Sequence, residues 1–135
     1  MPIRTKRLLL EKCAYELRFP TDMTTSKIAI FAPQFPVTME ISEDYPFHPP
    51  VVLYKDVLLN KYFMNLFSQH PLVKRFRLKI PCVCCSSVLN AWSPAHTLQD
   101  ILAEVEKHAQ TETLLNHFPV LFDDLVTSRI LAFLL

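Results

Sequence analysis

The 135-residue chain contains no glycine, although eleven of its residues are proline. Glycine-dependent phosphate loops and dinucleotide-binding turns need backbone positions without a Cβ, so nucleotide binding of those kinds is excluded. Its turns must be built from Pro, Asn, Asp and Ser. Cysteine is scarce: Cys13 stands alone and Cys82, Cys84 and Cys85 are clustered, which is no disulfide framework. The opening stretch MPIRTKR has no signal-peptide pattern. A reducing compartment, cytoplasmic or nuclear, is therefore expected. The longest apolar runs, such as Ile130 to Leu135, fall far short of the roughly 20 residues of a membrane span. Neither charge sign dominates, with 14 Lys and Arg against 13 Asp and Glu, so a broad basic surface for nucleic acid is absent and partners should be recognised by shape.

What is present describes one domain, 1-135. Half the residues are apolar, enough for a core and too many for a disordered chain. Residues 4 to 18 place Leu10, Cys13, Ala14 and Leu17 at helical spacing, with Arg4, Lys6, Arg7, Lys12 and Arg18 mostly elsewhere; this predicts an amphipathic first helix with a basic side, ended by Pro20. KIAIF (27 to 31) and FPVTMEI (35 to 41) predict two strands around Ala32-Pro33-Gln34, the second burying Val37, Met39 and Ile41. The proline-rich Tyr45-Pro46-Phe47-His48-Pro49-Pro50 is rigid, and VVLY (51 to 54) resumes as a strand. Residues 55 to 79 lack a clean period; LLNKYFMNLF reads as a short helix or an apolar loop. Thr97 with Asp100 forms an N-cap pair for a helix over about 98 to 109, carried by Leu98, Ile101, Leu102 and Val105. Phe122, Leu125, Val126, Arg129, Ile130 and Phe133 predict a last, apolar helix.

This order of elements, with three motifs, resembles the ubiquitin-conjugating enzymes. FPVTMEISEDYPFHPPVV (35 to 52) is similar to that family's strand and Tyr-Pro-Phe-x-Pro-Pro loop, CVCCSSVLNAWSPAHTLQDIL (82 to 102) to its active-site segment, and His70-Pro71 to the start of its His-Pro-Asn motif. The resemblance implies an α+β fold: an N-terminal helix, an antiparallel meander sheet, the active-site segment, then C-terminal helices. It also makes 55-79 an insertion. In the family the catalytic cysteine stands eight residues before the tryptophan of Trp-Ser-Pro-Ala; here that residue is Cys84. A thiol suits this chemistry because the modifier's C-terminal carboxyl arrives as a thioester and leaves to an amine, and thiolate is both nucleophile and leaving group. Cys85 is the alternative nucleophile.

Further roles follow from the same resemblance. Phe47, Ser93, Pro94 and Ala95 match positions that contact ubiquitin ligases, and Arg4, Lys6 and Arg7 match the docking side for the activating enzyme. The family's asparagine donates to the oxyanion formed during lysine attack, an effect of about 10²–10³ in rate; here the third residue is Leu72, which has no side-chain donor. His70, Asn90 and Ser86, with Ser87 beside it, are the candidate supports. No cofactor is required, and Cys-x-Cys-Cys lacks the paired spacing of a zinc site. The expected activity is transfer of ubiquitin or a ubiquitin-like modifier through Cys84 toward lysine. The alternative is a non-catalytic variant that binds ubiquitin or scaffolds a partner subunit through the apolar C-terminus.

Overall fold

The computed structural model describes residues 3–11, 13–80, 87–118 and 124–135. Its elements are α1 (Ile3–Leu10), β1 (Ile28–Ala32), β2 (Val37–Ile41), β3 (Val51–Tyr54), β4 (Val57–Leu58), α2 (Leu59–Gln69), α3 (Pro71–Phe76), α4 (Leu98–His117) and α5 (Asp124–Leu134). The class is α+β, with an N-terminal helix, a four-stranded antiparallel sheet in sequential order and helices after it.

Alternation sets the sheet. In β1, Ile28, Ile30 and Ala32 face inward, and in β2 Val37, Met39 and Ile41 do, as the pattern predicts. Ile30 pairs with Met39 and Ala32 with Val37, so the two apolar rows coincide on one face. Val52 and Tyr54 extend that face, and Ile101, Leu102 and Val105 of α4 join it in one core. The β3–β4 connection is Lys55-Asp56, both with positive φ (50° and 64°). A two-residue hairpin loop requires that conformation, and without glycine it costs about 1–2 kcal/mol per residue.

The first helix is shorter than predicted. It stops at Leu10, which is exposed, and only Arg4 and Leu8 are buried on it. The chain then leaves helical geometry because its polar groups find partners on other elements. The Ala14 N–H donates to Gln99 Oε1, and Arg18 makes a two-bond antiparallel bridge with Phe31 on the outer edge of β1. Pro20, two residues beyond that bridge, has no N–H to continue the ladder.

Residues 59 to 69, ambiguous in sequence, are helical. Leu59, Phe63 and Phe67 recur every four residues and are buried, with Phe63 packed on Tyr54 and on His108 of α4. Tyr62 hydroxyl donates to Glu112 at 2.6 Å, and Lys55 Nζ reaches both groups, binding the hairpin and α2 to α4. After α3, Arg77 takes the left-handed conformation, and the N–H groups of Arg77 and Leu78 close on Val73 O. The α4 capping box is formed as predicted: Thr97 accepts from the Asp100 N–H and the Asp100 side chain accepts from the Thr97 N–H. The helix continues past 109 to His117 because Glu112 and Leu115 are also buried.

α5 turns a different face inward from the one its apolar pattern marks. Thr127 and Leu131 are buried, whereas Leu125 and Phe133 are exposed, Phe133 at 88%. Asp124 at its start forms an ion pair with Arg75 of α3. Among the described residues no helix is long and apolar enough to cross a membrane.

Candidate functional site

Two anchors fix the chain that follows, in sequence, the segment carrying the clustered cysteines. Cys82, Cys84, Cys85 and Ser86 lie outside the described residues; the residues that lead into and out of the segment do not.

The first anchor holds the tryptophan turn against the proline loop. Trp92 Nε1 donates to Pro46 O at 2.8 Å, and the indole lies against the Tyr45 ring, centroids 6.1 Å apart. Tyr45 is itself buried, and its hydroxyl donates to Glu11 Oε1 at 2.5 Å. The same oxygen accepts the Leu98 N–H at the start of α4, and Arg7 lies 3.7 Å away. Burial, then the bond to Glu11, raise the Tyr45 phenol far above its ordinary value, so it is a permanent donor. The turn is closed locally as well. His96 Nδ1 accepts from the Ser93 N–H at 3.0 Å, placing the imidazole proton on Nε2, and His96 O accepts from Arg7 at 2.7 Å.

This arrangement puts Phe47, Pro94 and Ala95 on the outside. Phe47 is 60% exposed, Pro94 and Ala95 are exposed and Ser93 is half-buried. Phe47 is a large apolar ring exposed to water on the loop that the Trp92 indole bonds.

The second anchor lies just after the cysteine segment. The Val88 N–H donates to Glu104 Oε2 at 2.9 Å, and the buried Ser87 hydroxyl, which accepts the Leu89 N–H at 3.2 Å, lies near the same carboxylate. His108, one turn further along α4, places Nε2 3.6 Å from Glu104 Oε1, with its ring packed on Phe63 and Phe67. Burial acts to raise the Glu104 carboxyl, but His108, the Val88 N–H and the Ser87 hydroxyl together hold it below the usual carboxylate range. Beyond this anchor, Leu89 and Asn90 line a groove with Pro50, Val51, Leu58 and Met64.

The remaining predicted residues are placed as follows. His70 caps α3: its Nδ1 accepts from the Leu72 N–H at 3.2 Å, so Nε2 carries the proton and donates to Asn116 Oδ1 at 3.0 Å. Both ring nitrogens are thus engaged in structure. Leu72 packs against the core. Asn90 is exposed, its backbone N–H donating to Ser87 O. Arg4 does not lie on the basic surface: it is 5% exposed and its guanidinium donates to the carbonyls of Met23, Thr25 and Ser26. Arg7 is turned toward Glu11 and His96, which leaves Lys6 as the exposed cation of the three.

Sequence reading passes over both carboxylates on which the anchors converge. Glu11 stands four residues after Arg7, and Glu104 stands four before His108 and among the apolar positions of α4. Acid next to buried positions on a helix is the signal that each has a buried partner. No protein-family model matches the chain, and no curated protein and no solved structure is significantly similar to it.

Proposed function

We propose that the chain has a ubiquitin-conjugating-enzyme-like fold and accepts ubiquitin or a ubiquitin-like modifier as a thioester on Cys84. The Cys84 thiolate attacks the thioester carbonyl presented by an activating enzyme, whose own cysteine leaves as thiolate. A lysine amine then attacks the new thioester, forming the amide with loss of the amine proton and release of the Cys84 thiolate. A ligase docks on Phe47, Ser93, Pro94 and Ala95.

The observation that carries this reading is the Trp92–Pro46 bond. It makes one surface of two motifs nearly fifty residues apart in sequence, with Phe47 standing out of it, and it fixes the turn eight residues downstream of Cys84. A purely structural tryptophan would not require an exposed phenylalanine across the loop. One observation favours a non-catalytic adaptor instead. The residue after His70-Pro71 is Leu72, whose side chain packs against the core and has no hydrogen-bond donor.

The test is incubation with activating enzyme, ATP and modifier, followed by non-reducing electrophoresis. The expected result is a reductant-sensitive adduct lost in Cys84→Ala and kept in Cys82→Ala and Cys85→Ala. No adduct with any ubiquitin-like modifier would leave the adaptor reading; loss only in Cys85→Ala would move the nucleophile by one residue.

A further inference from the structure

We propose that the cavity between α1 and the segment that follows it binds an amphiphilic amine, a small molecule with an apolar body and an ammonium group. The inference does not depend on Cys84. It uses the oxygen of Glu11 that Tyr45 and Leu98 leave free.

Three observations converge on it. The cavity has a volume of about 520 Å³, within the usual range of roughly 300–1,000 Å³ for small-molecule sites. Its walls are largely apolar, with Leu8 from α1 and Leu17 and Met23 from the segment beyond it. Two further lining residues, Leu9 and Phe19, are 67% and 46% exposed, so the cavity opens to solvent.

The second observation is a carboxylate in that lining. The Glu11 side chain is only 5% exposed, and the hydrogen bonds it accepts, from the Tyr45 hydroxyl and the Leu98 N–H, both go to Oε1. Arg7 Nε lies 3.7 Å from that same oxygen, and Arg7 Nη2 donates to His96 O. Oε2 is buried and has no hydrogen-bond partner. A carboxylate oxygen withdrawn from water without a donor is costly, and a charged nitrogen is the donor that binds it most strongly.

The third is the sign of the surroundings. Leu8 and Leu9 belong to the last turn of α1, the end of a helix that carries partial negative charge. Among the described residues Glu11 is the one charged group in the lining, which also holds two aromatic rings, Tyr15 and Phe19. Aromatic faces attract cations. An anionic ligand is repelled here and a purely apolar one leaves Oε2 without a donor, whereas an ammonium group satisfies it and an apolar body covers Leu17 and Met23.

The experiment compares tryptamine with its neutral analogue tryptophol, in which a hydroxyl replaces the amine. Affinities are measured by calorimetry. Cys13, a free thiol in the same lining, is the reporter of place: its alkylation by iodoacetamide is followed by peptide mapping. Tryptamine is expected to bind about tenfold more tightly than tryptophol and, at saturation, to slow alkylation of Cys13. In Glu11→Gln, which replaces the charged acceptor by a neutral amide, that preference is expected to vanish while tryptophol binding is unchanged. If Glu11→Gln is not folded by thermal melting, Leu9→Lys carries the test, because it adds a like charge at an exposed lining position. Tryptamine should then bind severalfold more weakly and tryptophol as before. Equal affinities for the two compounds in wild type, binding of neither, no protection of Cys13, or a preference for tryptamine that survives in the folded variant overturns the proposal. None of these outcomes bears on thioester formation at Cys84, so the two readings fail separately.

Discussion

Two buried carboxylates perform the same task at opposite ends of the 87–98 stretch, and they are balanced differently. Glu11, just past α1, accepts from the Tyr45 hydroxyl and the Leu98 N–H, with Arg7 beside it. Glu104, inside α4, accepts from the Val88 N–H, with His108 beside it. Arginine keeps its charge at every working pH, whereas histidine does not. Glu11 therefore fixes the outward-facing tryptophan turn unconditionally. Glu104 holds the chain at Val88 through a neutral donor, the backbone N–H, with His108 beside it. The tryptophan turn and the stretch before it are thus anchored separately, Glu11 holding the first residue of α4 and Glu104 standing within that helix.

Removing the stronger anchor should cost most. Glu11→Ala leaves the buried Tyr45 hydroxyl and the Leu98 N–H without an acceptor, and each such loss costs about 1–3 kcal/mol. Urea unfolding should report a loss of about 3 kcal/mol, and an unchanged midpoint would remove Glu11 from the account. Glu104→Ala should be smaller, about 1–2 kcal/mol, because the Val88 N–H is the one hydrogen bond seen here that loses its acceptor. The double variant sharpens the comparison. Leu98 and Glu104 are six residues apart on α4, about 9 Å along its axis, so the two losses should add to within about 0.5 kcal/mol. Strong coupling would mean that the anchors are one network.

Trp92→Phe keeps an aromatic ring and deletes only the bond to Pro46 O, for an expected loss of about 1 kcal/mol. If Phe47 and Ser93-Pro94-Ala95 form one docking surface, this variant should also weaken ligase-stimulated transfer more than charging, measured in the same assay.

The smallest effects are in the pH dependence. Folding lowers the Glu104 carboxyl, so the folded chain binds that proton more weakly than the unfolded chain. Its stabilisation is full above the ordinary carboxylate range and is lost as pH falls through the depressed folded value. Glu104→Gln should flatten that part of the acid limb in urea midpoints. At the alkaline end the Tyr15 hydroxyl, hydrogen-bonded to Glu106, is pushed up to about 12 from 10.0. Its contribution is full below the ordinary value and fades as pH rises toward the folded one. Tyr15→Phe should remove this slight alkaline slope and little else.

Where side chains alternate or cap, the sequence is a good guide. Val37, Met39 and Ile41, the VVLY strand and the Thr97–Asp100 box are read from residue type and spacing, because one neighbour on one face decides each. It is a poor guide where distant partners decide. The first helix ends at Leu10 because residues 14 and 18 find acceptors on α4 and β1, contacts separated by 85 and 13 positions. The helix over 59 to 69 has no side-chain cap to announce it and is formed by Phe63 and Phe67 meeting α4. The face of α5 is set by Thr127 and Leu131, against its apolar pattern. Of the candidate site, the tryptophan turn and proline loop are legible as motifs. Their union through Pro46 O, and the two carboxylates beneath them, depend on tertiary geometry that no local pattern encodes.

The central claim is that a thiol at Cys84 carries the modifier. Intact-mass spectrometry of the wild-type protein after incubation with activating enzyme, ATP and modifier tests it directly. The account predicts one added modifier mass less one water, removed by reductant and mapped to the peptide containing Cys84. A protein that keeps its unmodified mass with every ubiquitin-like modifier, or an adduct that survives reductant and maps to a lysine in the Cys84→Ala variant, would contradict it.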